Sequence, residues 1–231
     1  LYYIIESIKL NEKDYLALNI LGLIYVALNN IELAEKNFRK AIEINNNYAP
    51  TLNNIANFKM QSGNTQEAID LFKRALELDP KLIQPYIGAA LSFMALGDLD
   101  QAASFANQTL AINNSAKGVN EILGIVYQNK GNSEQAIECY QKELEVNPQA
   151  SNSLLNLGVL LLQKGQNAAA VESLAKASAL APSEQCSLLL AQAYQSLGQF
   201  KEAIVEYKKV DIVQAKNKRI PFNLGHCLLN T

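Results

Sequence analysis

The sequence predicts an all-α solenoid built from antiparallel helix pairs. Three observations predict it: a repeat period near 34 residues, a small residue at two fixed places in each repeat, and a Gly or Asn between two amphipathic stretches. Six segments beginning at Tyr15, Ala49, Ile83, Lys117, Ser151 and Glu184 align at offsets of 34, 34, 34, 34 and 33. The twentieth residue of each is Ala34, Ala68, Ala102, Ala136, Ala170 and Ala203. The eighth is always small: Gly22, Ala56, Ala90, Gly124, Gly158 and Ala191. The fifteenth is Asn29, Gly63, Gly97, Gly131, Gly165 or Gly198.

Each element follows from its residues. In the first unit the two stretches with helical periodicity are Leu16–Ala27 and Ile31–Ile44. The Gly or Asn between them accepts positive φ and ends the first helix in a left-handed cap. Small residues at the eighth and twentieth places let the paired helices approach closely. Aromatics fill the remaining gaps: Tyr25, Phe93, Tyr127 and Tyr194 on first helices, Phe38, Phe72, Tyr140 and Tyr207 on second helices. Pro80, Pro148 and Pro182 follow second helices, where Pro cannot continue the helix but can open the next turn. Asn45–Asn47 and Asn113–Asn114 occupy the same junctions, where Asx turns are favourable.

These residues resemble the tetratricopeptide repeat family. The stretches "LNILGLIYVALNNIELAEKNFRKAIEIN", "NEILGIVYQNKGNSEQAIECYQKELEVNP" and "LLNLGVLLLQKGQNAAAVESLAKASALAP" follow its Leu-Gly, Tyr, Ala, Phe, Ala, Pro order. The family's early Trp is replaced by Leu18, Leu52, Tyr86, Asn120, Leu154 and Ser187. The third unit departs most, with Ala106 at the aromatic place and Phe105 beside it. The resemblance implies a right-handed superhelix whose first helices line a concave face. It implies that extended peptides or helices lie on that face and that the repeats carry no catalytic chemistry.

The units are expected at 15–48, 49–82, 83–116, 117–150, 151–183 and 184–217. Residues 1–14 fit the second helix of a truncated unit, with Ile4, Ser7 and Ile8 inward, and residues 218–231 fit the first helix of another. Both ends read as cut, so a longer parent is expected. Phe222, Leu224 and Leu228 would then lack a partner helix and be frayed or packed on another molecule. No signal-peptide pattern opens the chain, which with both ends reading as cut says little about the parent; the expected compartment is the cytoplasm.

Composition narrows the function classes. The chain of 231 residues is 49% hydrophobic and 18% charged, so it can bury a core. Lys+Arg of 20 against Asp+Glu of 22 argues against a nucleic-acid binder, whose affinity rests on neutralising phosphates. One His and no Trp exclude most His-ligated metal sites and His-based catalysis. Cys139, Cys186 and Cys227 are far apart and form no disulfide or zinc spacing. No apolar run is long enough to span a bilayer. No cofactor, metal or catalytic residue is assigned.

The inward residues of the first helices form the expected partner site, at the second, fifth, sixth, ninth, twelfth and thirteenth places. Near the start they include Asn19, Asn53, Asn54, Asn57 and Gln61; the middle is apolar, with Leu91, Met94, Ile125 and Val159; toward the end come Asn156, Gln192 and Asn223. An amide offers a donor and an acceptor together, so it can hold a peptide backbone without reading its side chains. Asn54, Asn156 and Asn223 share the sixth place, similar to the Asn ladder of family members fused to a glycosyltransferase, but Ile20, Gly88, Ile122 and Leu189 interrupt it. The blander alternatives are that an Asn-rich chain simply tolerates Asn on exposed helices, and that the apolar residues are core. Places matching the family's carboxylate clamp hold Asn19, Leu23, Asn54, Gln84 and Gly88, with no cation, so C-terminal carboxylate recognition is not expected.

The leading functional expectation is a scaffold that binds a protein, peptide or helix in the concave groove. The alternatives are the substrate-recognition arm of a larger enzyme and a self-assembly module stacking through its truncated terminal helices. His226 falls at an inward place and reads as a solvated groove residue. Lys201, Lys208, Lys209, Lys216, Lys218 and Arg219, interspersed with Glu202, Glu206 and Asp211, read as a solvated face.

Overall fold

A computed structural model describes residues 2–210 and 219–231. Asp211, Lys216 and Lys218 of the late charged cluster, and the expected junction at 217–218, lie outside the described residues. Fourteen helices and no strand occur among the described residues, and the chain divides into two units, 1–116 and 117–231.

The first unit contains α1 (Tyr2–Leu10), α2 (Tyr15–Ala27), α3 (Ile31–Ile44), α4 (Ala49–Gln61), α5 (Thr65–Leu78), α6 (Ile83–Ala95) and α7 (Leu99–Ile112). Four of these helix starts have a local cause. Asp14 caps α2 by accepting from the Ala17 N–H at 3.0 Å, and Asn30 caps α3 through Leu33 at 3.2 Å. Asp98 does the same for α7 through Gln101 at 3.0 Å. Pro50 opens α4, where its missing N–H costs nothing.

The pairs close through a repeated C-terminal motif. Asn30 N–H reaches back to Tyr25 O at 2.8 Å, Asn64 to Lys59 at 2.9 Å and Asp98 to Phe93 at 2.9 Å. The residue before each donor is left-handed, and Asn29 holds φ 55° there without being Gly. Ala34, Ala68 and Ala102 are completely buried at the helix crossings, beside fully buried Phe38 and Phe72. Burying such a ring contributes about 2–3 kcal/mol. In the third repeat, where Ala106 leaves the aromatic place small, Phe105 stacks on Phe93 with ring centroids 5.4 Å apart.

The second unit contains α8 (Val119–Asn129), α9 (Ser133–Val146), α10 (Ser151–Gln163), α11 (Asn167–Leu180), α12 (Glu184–Ser196), α13 (Phe200–Tyr207) and α14 (Arg219–Leu229). The same Ala and ring placement recurs: Ala136, Ala170, Ala203, Tyr140 and Tyr207 are fully buried. A Cβ on Gly124 would sit 2.5 Å from the Tyr140 ring, and one on Gly158 would sit 2.5 Å from Leu174, so both side chains fill space that a Cβ would claim. The start of α8 has no side-chain cap of its own; fully buried Glu143 on α9 accepts the Gly118 N–H at 2.7 Å instead.

Within each unit, first helices contact first helices: α2 with α4 and α4 with α6, then α8 with α10 and α10 with α12. Second helices of a unit do not approach one another comparably among the described residues. The first-helix layer is therefore the tighter one, and it forms the inner side of each unit.

Candidate functional site

The expected site residues fall into two groups, one on each unit's inner layer. In the first unit, Asn54, Asn57, Leu91 and Met94 are half-buried and Gln61 is exposed. Asn19 and Asn53 are covered, at 6% and 8% exposure, because the fifth place turns toward the neighbouring helices. The covered amides support the others. Asn54 Nδ2 donates to Asn19 Oδ1 at 3.3 Å, and Asn57 Nδ2 donates to Asn53 O at 3.0 Å. Asn53 Oδ1 is buried with no partner. Leu16, Ile20 and Leu23 are 42%, 45% and 40% exposed along one face of α2. Leu16, Ile20 and Leu23 hold the second, sixth and ninth places of the expected inward face, though Asn19 alone of this helix is named among the site residues.

In the second unit, Ile125, Asn156, Val159, Gln192 and Asn223 are all half-buried. Two of them adjoin a repeated tyrosine–glutamine hydrogen bond. The Tyr140 hydroxyl donates to Gln128 Oε1 at 2.9 Å, and the Asn156 side chain stands close enough to lower its pKa. Two repeats later, the Tyr207 hydroxyl donates to Gln195 Oε1 at 2.8 Å, and the Asn223 side chain stands close enough to lower its pKa. Each amide thus adjoins a buried phenol of the preceding second helix. Burial holds both phenols above the ordinary tyrosine range, reinforced at Tyr140 by the charge of Glu121, while the Asn hydrogen bond opposes the shift.

This arrangement explains the interrupted ladder. The sixth place of a first helix meets the large residue at the twenty-fourth place of the preceding repeat, on its second helix. Tyr140 and Tyr207 are followed by Asn156 and Asn223, which can hydrogen-bond a phenol. Phe72 is followed by Gly88, and a Cβ there would collide with the Phe72 ring. Leu174 is followed by apolar Leu189. Asn54 follows Phe38, which offers no hydroxyl, and its amide turns to Asn19 instead.

The remaining features carry little chemistry. Cys139, Cys186 and Cys227 are free and buried, and burial pushes each thiol up. No group of three or more His, Cys, Asp or Glu could hold a metal ion among the described residues. His226 is exposed, with Nδ1 3.3 Å from Gln195 Nε2 and its ring edge-on to Phe200. Lys201 and Lys208 are exposed, and Lys209 pairs with Glu206 at 2.6 Å. No helix among the described residues is long and apolar enough to cross a membrane.

Comparison with known proteins agrees with the repeat geometry. Profiles of the tetratricopeptide repeat match residues 15–48, 47–115, 123–184 and 185–211. Tetratricopeptide repeat protein 8 of Homo sapiens is 32% identical over 91 residues, 39% of this chain and 17% of that protein. Anaphase-promoting complex subunit 3 of Schizosaccharomyces pombe is 27% identical over 123 residues, 53% of this chain and 18% of that protein. The chain thus spans less than a fifth of these relatives' length. Among solved structures, PilF of Pseudomonas aeruginosa superposes with a TM-score of 0.80 at 17% identity, over 96% of this chain and 100% of its own. The anaphase-promoting complex hetero-tetramer Cut9–Hcn1 superposes with a TM-score of 0.76 at 19% identity, over 97% of this chain and 45% of the other. YrrB, described as a repeat protein of this kind with an unusual peptide-binding site, superposes with a TM-score of 0.63 at 21% identity, over 83% and 97%. With its repeat profiles, its relatives and its stacked helix pairs in agreement, the chain belongs to the tetratricopeptide repeat family.

Proposed function

We propose that the chain is a protein-interaction scaffold that takes an extended peptide or a helix on the inner face of its first helices. The observation that carries this reading is the chemistry of that face. It combines exposed or half-exposed aliphatics, such as Leu23, Leu91 and Val159, with amides such as Asn57, Gln61 and Gln192. Such a surface anchors apolar side chains and pairs with backbone groups. The similarity to YrrB, itself described as peptide-binding, and to Cut9, which is held in a complex of protein chains, supports the same reading.

Asn54, Asn57, Gln61, Leu91 and Met94 would serve in the first unit, with Asn19 and Asn53 holding them from beneath. Ile125, Val159 and Gln192 would serve in the second, with Asn156 and Asn223 contributing whatever their amides can spare from the phenols. The test is selection from a phage-displayed random dodecapeptide library on the intact chain, then titration of selected peptides followed by backbone amide shifts. Shifts concentrated on α2, α4 and α6 or on α8, α10 and α12 are expected. Shifts confined to α3, α5, α9 or α11 would place the binding surface elsewhere.

Self-association is a second reading with its own observation. Phe222, Leu228 and Leu229 on α14 are 74%, 55% and 89% exposed, and Tyr3 and Leu10 on α1 are 85% and 89% exposed. Light scattering over a concentration series tests it, and a mass fixed at one chain throughout argues against it.

A further inference from the structure

The first helices are nearly devoid of charge. No Asp, Glu, Lys or Arg occurs in α2, α6 or α10, and α4 carries only Lys59. Lys59 is neutralised by Glu35 and Glu67, each 3.2 Å away. On α12 the one carboxylate is Glu184, at its first residue. Glu121 on α8 stands apart from this pattern.

Glu121 is half-buried at the fifth place of its repeat. Its Oε2 accepts from Ser153 Oγ at 2.8 Å and its Oε1 from Asn152 Nδ2 at 3.4 Å. Both donors are neutral and both come from α10, the adjacent first helix. They orient the carboxylate without cancelling its charge. No cation of the described residues pairs with it, whereas Glu134, Glu138 and Glu172 on the second helices each hold a Lys within 2.7 Å. Half-buried Ile125 lies one helical turn along α8, and half-buried Leu155 and Val159 lie on α10. Ile125 and Leu155 pack on one apolar cluster. A fixed carboxylate beside apolar, partly water-free surface attracts a cation more strongly than an exposed one does.

We propose that the inner face of the second unit selects peptide segments in which a lysine or arginine, paired with Glu121, adjoins an aliphatic residue packed on Ile125, Leu155 and Val159. The charge complementarity names the partner's chemistry, and the proposal rests on the inner-face reading of the previous section. Glu121→Gln is the matched variant, because its amide oxygen can still accept from Ser153.

The test runs the dodecapeptide selection in parallel on the wild-type chain and on E121Q, each verified as folded by its circular dichroism melt. The wild-type pool is expected to be enriched in Lys or Arg next to Leu, Ile, Val or Met. The E121Q pool is expected to keep the aliphatic preference and lose the basic one. Synthetic peptides from the wild-type pool should bind E121Q about tenfold more weakly, and the wild-type affinity alone should fall steeply with salt. Basic enrichment that is absent, or that survives in E121Q, overturns the proposal while leaving the inner-face reading intact. If neither pool enriches any motif, both readings fail together.

Discussion

The Tyr207 hydroxyl donates to Gln195 Oε1 at 2.8 Å, tying the end of α13 to the end of α12. Tyr140 and Gln128 repeat the bond at 2.9 Å in α9 and α8. The amide of the next first helix adjoins each phenol, so three helices meet at one hydroxyl. Tyr140→Phe removes the hydroxyl while the ring still fills its pocket, and it is expected to cost about 1 kcal/mol in urea unfolding. Asn156→Leu should cost less in the Tyr140→Phe background than in the wild type, because its partner is already gone. Strictly additive losses would show that the amide and the phenol act independently.

Phe72 and Gly88 make the complementary case, with steric fit in place of a hydrogen bond. Phe72 is fully buried, and a Cβ on Gly88 would collide with its ring. Gly88→Ala is therefore expected to destabilise the chain by about 1–3 kcal/mol through overpacking. Phe72→Leu should cost less in the Gly88→Ala background than alone, since the smaller side chain makes room for the added methyl. Leu174 followed by Leu189 shows that the repeat accepts this combination. A double variant as unstable as the sum of the singles would contradict the argument.

How much of this was legible beforehand differs between fold and site. The helix pairs were readable because period, small-residue places and turn residues coincide. Asn29 adopts the left-handed turn conformation at 55° just as the Gly residues at its place do. The places that form the inner layer were also readable, but not which amides there are available. Burial of Asn19 and Asn53 depends on how closely neighbouring first helices pack, which no single unit encodes. The role of Asn156 and Asn223 did leave a signal: each lies sixteen residues after a Tyr of the preceding second helix. That signal is a pairing between repeats, so comparing like places within the repeat does not reveal it. Glu121 leaves no signal within its own repeat; it stands apart only against the ion pairs of Lys59 and of Glu134, Glu138 and Glu172.

Alkaline pH should expose the buried phenols. Tyr140 and Tyr207 are held above the ordinary value of 10.0, first by burial. In the unfolded chain they ionise at about pH 10, whereas the folded chain keeps their protons longer. The unfolded state then binds fewer protons, so stability falls as pH rises. The contribution is complete below about pH 10 and is lost progressively toward the folded-state values. Urea midpoints measured from about pH 8 to about pH 11 should decline, and the Y140F/Y207F double variant should decline less steeply. Equal slopes would mean that these two phenols do not carry the alkaline loss.

The cysteines offer a map of local opening. All three thiols are buried and pushed up by burial, so few thiolates exist at neutral pH and reaction requires exposure. Cys139 lies on α9, which packs on both α8 and α10, and Cys186 lies on α12, which packs on α10, α11 and α13. Cys227 lies on α14, which packs chiefly on α13. Opening needs fewer contacts broken at Cys227, so in the chain of 231 residues it should react first with a disulfide-exchange reagent. Cys139 and Cys186 should lag and quicken together as urea approaches the unfolding midpoint. Mass spectrometry of tryptic peptides distinguishes the three, and labelling of Cys186 before Cys227 would show that α12 opens more readily than α14.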